Sequence, residues 1–105
     1  SGVNTTYVSI PGNCLLNPEY TVSYGLGAIN NYNNDIYIQD ESFYSDKYYS
    51  GHNIYLGESV TSSKPTGPVI VNSGIKIILD AENTIEFVSG FEVEVGGEIE
   101  TRKNN

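Results

Sequence analysis

The sequence predicts an all-β domain, and three observations carry that expectation. Apolar residues alternate with polar ones in short runs, the period of a half-buried strand. Strong helix formers are scarce, with two alanines and no methionine, while Tyr, Ile, Val and Thr are plentiful. Eleven glycines, many of them standing between the runs, supply tight turns. At 105 residues the chain has room for one domain with a modest core.

The elements follow in order. Thr6-Tyr7-Val8-Ser9-Ile10 alternates like a strand and stops at Pro11-Gly12. Tyr20-Thr21-Val22-Ser23-Tyr24 is a second strand, ended by Gly25-Leu26-Gly27. Asn30-Asn31-Tyr32-Asn33-Asn34 reads as a loop, and Asp35-Ile36-Tyr37-Ile38-Gln39-Asp40 alternates again. Residues 42–49 fit either a turn or one loose helical turn. Residues 1–46 therefore make a Tyr- and Asn-rich N-terminal β region.

From residue 47 the pattern sharpens. Ile54, Leu56 and Val60 precede a loop through Lys64, Pro65, Gly67 and Pro68. Val69, Val71, Ile75, Ile77 and Leu79 follow in short alternating runs. Thr84-Ile85-Glu86-Phe87 gives way to Ser89-Gly90, and Phe91-Glu92-Val93-Glu94-Val95 to Gly96-Gly97. Glu98-Ile99-Glu100-Thr101 closes the pattern.

This region echoes itself. Asn53, Ile54, Leu56, Gly57 and Val60 resemble Asn83, Ile85, Phe87, Gly90 and Val93. Val69, Val71, Gly74 and Ile77 loosely match Val93, Val95, Gly97 and Ile99. Short strands with glycine corners, weakly repeated, describe a chain that winds back over itself. No single turn can cover its own apolar face, so neighbours must stack. The expected architecture is one domain, 1–105, of short stacked strands, β-solenoid-like over 47–105, with additional N-terminal strands. Two recognisable repeats would end in an open layer. The N-terminal strands are expected to fold over one end and cap it, giving a monomer.

The residues from Val71 to Thr101 carry a family resemblance. Gly74-Ile75-Lys76-Ile77-Ile78-Leu79 is followed by Ala81 and Thr84-Ile85-Glu86-Phe87. Ser89-Gly90-Phe91 and Val93-Glu94-Val95-Gly96-Gly97-Glu98-Ile99 complete the arrangement, and Tyr49-Ser50-Gly51-His52-Asn53-Ile54 looks similar to the family's upstream turn. Together, over about residues 48–102, they resemble the three-coathanger stack domain of Bacteroidota surface and secreted proteins. Ser89 departs from the proline common before the Gly-Phe step. The resemblance implies an extracellular stem or spacer and carries no catalytic residues across.

Charge narrows the partners. The net charge of −8 disfavours nucleic acid, whose phosphates need Lys and Arg, and anionic membranes for the same reason. No apolar run approaches membrane-spanning length. The single cysteine, Cys14, allows no disulfide within the chain and reads as a lone thiol. The location expected is extracellular or at the cell surface, with any secretion signal outside these 105 residues. A cell-surface protein or a glycan is the class of partner left open.

Candidate chemistry is thin. His52 is the one histidine, with no Gly-x-Ser-x-Gly elbow and no oriented acid to make it a catalytic base. Glu86, Glu92, Glu94, Glu98 and Glu100 alternate with Ile85, Phe87, Phe91, Val93, Val95 and Ile99, which reads as a solvated face opposite a core. Asn33, Asn34, Asp35, Asp40, Glu41 and Asp46 could offer oxygens to calcium, but their spacing matches no EF-hand loop. No cofactor is expected. Tyr37, Tyr44, Tyr48, Tyr49 and Tyr55 cluster in sequence and could form a sugar-stacking platform, although tyrosine is ordinary in sheets. The function expected is a non-catalytic structural or adhesive module, not an enzyme; the alternative is a carbohydrate-binding module built on those tyrosines.

Overall fold

In a computed structural model the described residues are 5–11, 14–16, 20–23 and 34–104, with side chains described from 34 to 102. They form ten strands and no helix, so the described chain is all-β. The strands are β1 (Thr5–Pro11), β2 (Cys14–Leu16), β3 (Tyr20–Ser23), β4 (Ile36–Ile38) and β5 (Glu41–Phe43). They continue as β6 (Lys47–Leu56), β7 (Val69–Val71), β8 (Lys76–Phe87), β9 (Phe91–Val93) and β10 (Glu98–Asn104). The ambiguous stretch 42–49 holds the end of β5, a turn and the start of β6, not a helical turn.

Two sheets result. A six-stranded sheet runs β1-β10-β8-β6-β4, with β3 also on β8, and a four-stranded sheet runs β2-β9-β7-β5. From β4 onward every pairing is parallel. Ile38, Leu56 and Phe87 stand in one register line; so do Phe43, Val71 and Val93, and Tyr49, Leu79 and Thr101. β4 and β5 thus share ladders with β6 and β7, although they precede residue 47. Val71 meets Val93 and not Val95, because the chain turns at 95–96. The N-terminal strands run the other way: β1, β2 and β3 pair antiparallel with β10, β9 and β8. Cys14 stands opposite Val93 in backbone register. Asn33 lies outside the described residues.

The core follows from the alternation. Ile38, Phe43, Ile54, Leu56, Val69, Val71, Ile77, Leu79, Ala81, Ile85, Phe87, Phe91, Val93 and Ile99 form one buried cluster drawn from both sheets. Val95 does not join it; at 68% exposure it sits on the turn after β9. β8 runs unbroken through Asp80, Ala81, Glu82 and Asn83, where the pattern had suggested two separate runs. Its register with β6 shifts there, with Gly51↔Ala81 before and Asn53↔Thr84 after. The extra residue on β8 is a bulge, which bends a strand without ending it.

Candidate functional site

The five tyrosines singled out above go to different places. β4 and β6 turn Tyr37 and Tyr55 to the outside, between the inward residues Ile36, Ile38, Ile54 and Leu56. Their rings stack with centroids 5.2 Å apart and planes 15° apart, so each covers one face of the other. Burial, then the neighbouring Asp35, Tyr37 and Glu86, pushes the Tyr55 hydroxyl above the usual tyrosine range. Tyr49 turns inward on β6 and meets Phe43 edge-on at 6.1 Å. Burial, and then Glu41, raises its pKa too. Tyr44 lies on the turn after β5, 79% exposed. Tyr48 points outward from the first half of β6, where it lies beside Asp80 and Arg102. The structure brings Tyr37 and Tyr55 together; Tyr49 points to the opposite side of its strand from Tyr48.

Tyr48 belongs to a polar network on the outside of β6, β8 and β10. Its hydroxyl donates to Asp80 Oδ2 at 2.5 Å, and Arg102 lies 5.8 Å over its ring. Glu100 takes Lys76 Nζ on one oxygen and Arg102 Nη2 on the other, each at 2.8 Å. These bonds hold the Glu100 carboxyl below its ordinary range and the Lys76 ammonium above its own. Asp80 and Glu100 are both buried, so Glu100 is not part of a solvated face; Glu92 and Glu94 are exposed. Lys76 lies on another strand, far from Glu100 in the sequence, which is why alternation alone misread Glu100. A depression of about 240 Å³ opens beside this network, lined by Asp46, Lys47, Tyr48, Lys76 and Ile78.

The bend of β6 and β8 is lined with polar side chains. His52 Nδ1 meets Glu82 Oε1, and the His52 N–H donates to the Asn34 carbonyl at 2.7 Å. Asn83 Nδ2 donates to Asn53 Oδ1 at 3.0 Å, and Asn53 Nδ2 to Asp35 Oδ1 at 3.2 Å. This chain of two amides and a carboxylate links β8 and β6 to the residue just before β4. Asp46 Oδ1 accepts the Lys76 N–H at 2.9 Å, and Asp40 holds a left-handed corner at φ 56°. The candidate calcium oxygens Asp35, Asp40 and Asp46 are thus set at separate corners. No group of three His, Cys, Asp or Glu among the described residues could hold a metal ion.

One residue that sequence reasoning passed over is Gln39. The alternation of β4 placed it outward, yet it is 2% exposed. The chain leaves the strand after Ile38, and the Gln39 side chain enters the loop between β6 and β7. Its Nε2 lies 2.9–3.1 Å from the carbonyls of Thr61, Lys64 and Pro65. Its Oε1 accepts the Val60 and Thr61 N–H groups at 2.5 and 2.9 Å. The loop closes at its neck, where the Gly67 N–H donates to the Glu58 carbonyl at 3.1 Å. Lys64 Nζ then reaches the Tyr37 carbonyl at 2.8 Å. A long polar loop needs an internal source of hydrogen bonds, and its length was the one available signal.

Comparison with protein-family models, with curated proteins and with solved structures finds no match for this chain. Among the described residues no helix is long and apolar enough to cross a membrane.

Proposed function

We propose that the chain is a short β-solenoid acting as a non-catalytic structural or adhesive module, a stem or spacer outside the cell. The observation that carries this reading is the in-register parallel ladder. Ile38, Leu56 and Phe87 abut along one line and Phe43, Val71 and Val93 along another. Each winding covers the apolar edge of the next, the construction of a stacked array. The antiparallel pairing of β1, β2 and β3 on β10, β9 and β8 supports closure of one end by the N-terminal strands and a monomeric state. The three-coathanger stack resemblance of residues 48–102 agrees with the same reading and supplies its extracellular setting.

The acids also support a structural role. Asp80 is engaged by Tyr48, Glu82 by His52, and Glu100 by Lys76 and Arg102. A catalytic acid pair needs carboxyls facing a substrate cleft instead. The test is a panel of glycoside and ester substrates. The reading predicts no turnover; turnover abolished by Asp80→Asn or Glu100→Gln in a folded chain would overturn it.

A further inference from the structure

Among the described strands, β4 ends the six-stranded sheet and β5 ends the four-stranded one. The Ile38 carbonyl points toward β6, where it accepts the Gly57 N–H at 3.1 Å. Peptide groups alternate in direction along an extended strand. Those of Tyr37 therefore face away from β6, out of the sheet edge. The Tyr37 carbonyl is already taken by Lys64 Nζ at 2.8 Å. That ammonium stands where the N–H of a further strand would donate, and lysine is a common guard of such edges.

The Tyr37 ring is itself an unfinished ladder. It stacks on Tyr55 at 5.2 Å, close to the spacing of about 4.8 Å between neighbouring strands. Tyr37 remains 40% exposed. A further strand in register would lay a side chain against its uncovered face.

Charge selects the occupant. Residues 34–50 carry Asp35, Asp40, Glu41 and Asp46 against Lys47, and Lys64 adds a second base at this edge: four acids less two bases, or −2. Asp35, Asp40 and Asp46 are exposed. A second copy would bring the same acidic edge and a net charge of −8, so self-pairing is opposed. An arginine side chain meets both demands, since its guanidinium stacks on an aromatic face and pairs with carboxylates.

We propose that the β4 edge is a strand-addition site for an extended, arginine-bearing segment of a partner protein, and that Lys64 is the gate that moves aside when it docks. This goes beyond the structural role above and stands without it. Main-chain bonds to Tyr37 supply register, and the ring and the flanking acids supply selectivity.

The test uses the whole chain and a blocked peptide of about eight alternating arginines and threonines, cationic and strand-prone. A glutamate-threonine twin is the control. Amide shift mapping by nuclear magnetic resonance should place the arginine peptide on residues 36–43 and show no such shifts with the twin. Lys64→Ala frees the Tyr37 carbonyl and removes a positive charge, so it should tighten binding by roughly threefold to tenfold. Tyr37→Ser, shown to be folded by its amide spectrum, should weaken binding by roughly the same factor. The proposal is overturned if the peptide fails to bind or leaves residues 36–43 unmoved, as it would by collecting on exposed Glu92 and Glu94. It is equally overturned if Lys64→Ala binds no more tightly, or if folded Tyr37→Ser binds as well as the parent chain.

Discussion

Phe87 and Phe91 face each other across the turn that joins β8 to β9, with ring centroids 4.7 Å apart and planes tilted by 48°. Both are fully buried, and Phe87 also lies in register with Leu56 while Phe91 lies in register with Val69. The pair therefore ties the two sheets together at one corner. Phe91→Ala should cost about 3–5 kcal/mol, combining lost transfer energy with the cavity left behind. Urea unfolding followed by circular dichroism would measure it. A loss near zero would show that the ring does not pack as described.

Gln39→Ala tests the loop clamp. The substitution removes the acceptor of two backbone N–H groups and the donor to nearby carbonyls. The expected cost is about 1–3 kcal/mol, tempered by whatever water enters the loop. Amide exchange gives the sharper readout. Val60 and Thr61 should lose protection while Ile54 and Leu56 keep theirs. Unchanged protection at Val60 and Thr61 would contradict the clamp.

Much of the strand pattern could be read in advance, and Gln39 shows where that reading stopped. Ile77, Ile85, Phe87, Phe91 and Val93 were expected inside on alternation alone, and all are fully buried. Gln39, Asp80, Glu82 and Glu100 are buried for a different reason. Each has a partner on another strand or in a loop: Tyr48 for Asp80, His52 for Glu82, Lys76 for Glu100, the loop carbonyls for Gln39. A period-two pattern reports which face a residue occupies and nothing about who waits across the ladder. The same limit split β8 into two runs, because polar residues at its bend look like a break until the neighbouring strand satisfies them. Of the five tyrosines, Tyr37 and Tyr55 are brought together by parallel register, not by proximity in sequence.

The glycine corners separate backbone strain from crowding. Gly74 and Gly90 both sit at positive φ, 83° and 95°. A Cβ at Gly74 would meet nothing within 4 Å, whereas at Gly90 it would lie 2.5 Å from Glu58 Cβ. Gly74→Ala should therefore cost about 1 kcal/mol, the left-handed strain alone. Gly90→Ala should cost clearly more, since the β6–β7 loop must also shift. Thermal unfolding of the two variants side by side would decide, and equal losses would count against the corner geometry.

The Lys76–Glu100–Arg102 cluster has a pH signature. Glu100 titrates below its ordinary range in the folded chain, because of its bonds to Lys76 and Arg102. Its contribution to stability is thus present above the carboxylate's unfolded pKa and lost as pH falls through the folded one. Lys76 is shifted the other way, so its share holds below the unfolded lysine pKa and disappears as pH rises through the folded value. Glu100→Gln should lower stability at neutral pH and flatten the acid limb of the stability curve. An acid limb identical to that of the parent chain would show that the cluster contributes nothing.

The central claim is that successive windings stack in parallel register, and hydrogen bonds across the ladders test it most directly. Four are diagnostic: Gly57 N–H to the Ile38 carbonyl at 3.1 Å, Val88 to Leu56 at 2.8 Å, Asn72 to Phe43 at 3.4 Å and Glu94 to Val71 at 2.9 Å. Scalar couplings through hydrogen bonds, measured on a chain labelled with nitrogen-15 and carbon-13, identify donor and acceptor by residue. The account predicts couplings from Gly57 to Ile38 and from Val88 to Leu56 in one ladder, with Glu94 to Val71 in the other and a weaker signal from Asn72. Couplings that pair these carbonyls with other residues, or an antiparallel pattern between β6 and β8, would contradict the stacked architecture and the structural role built on it.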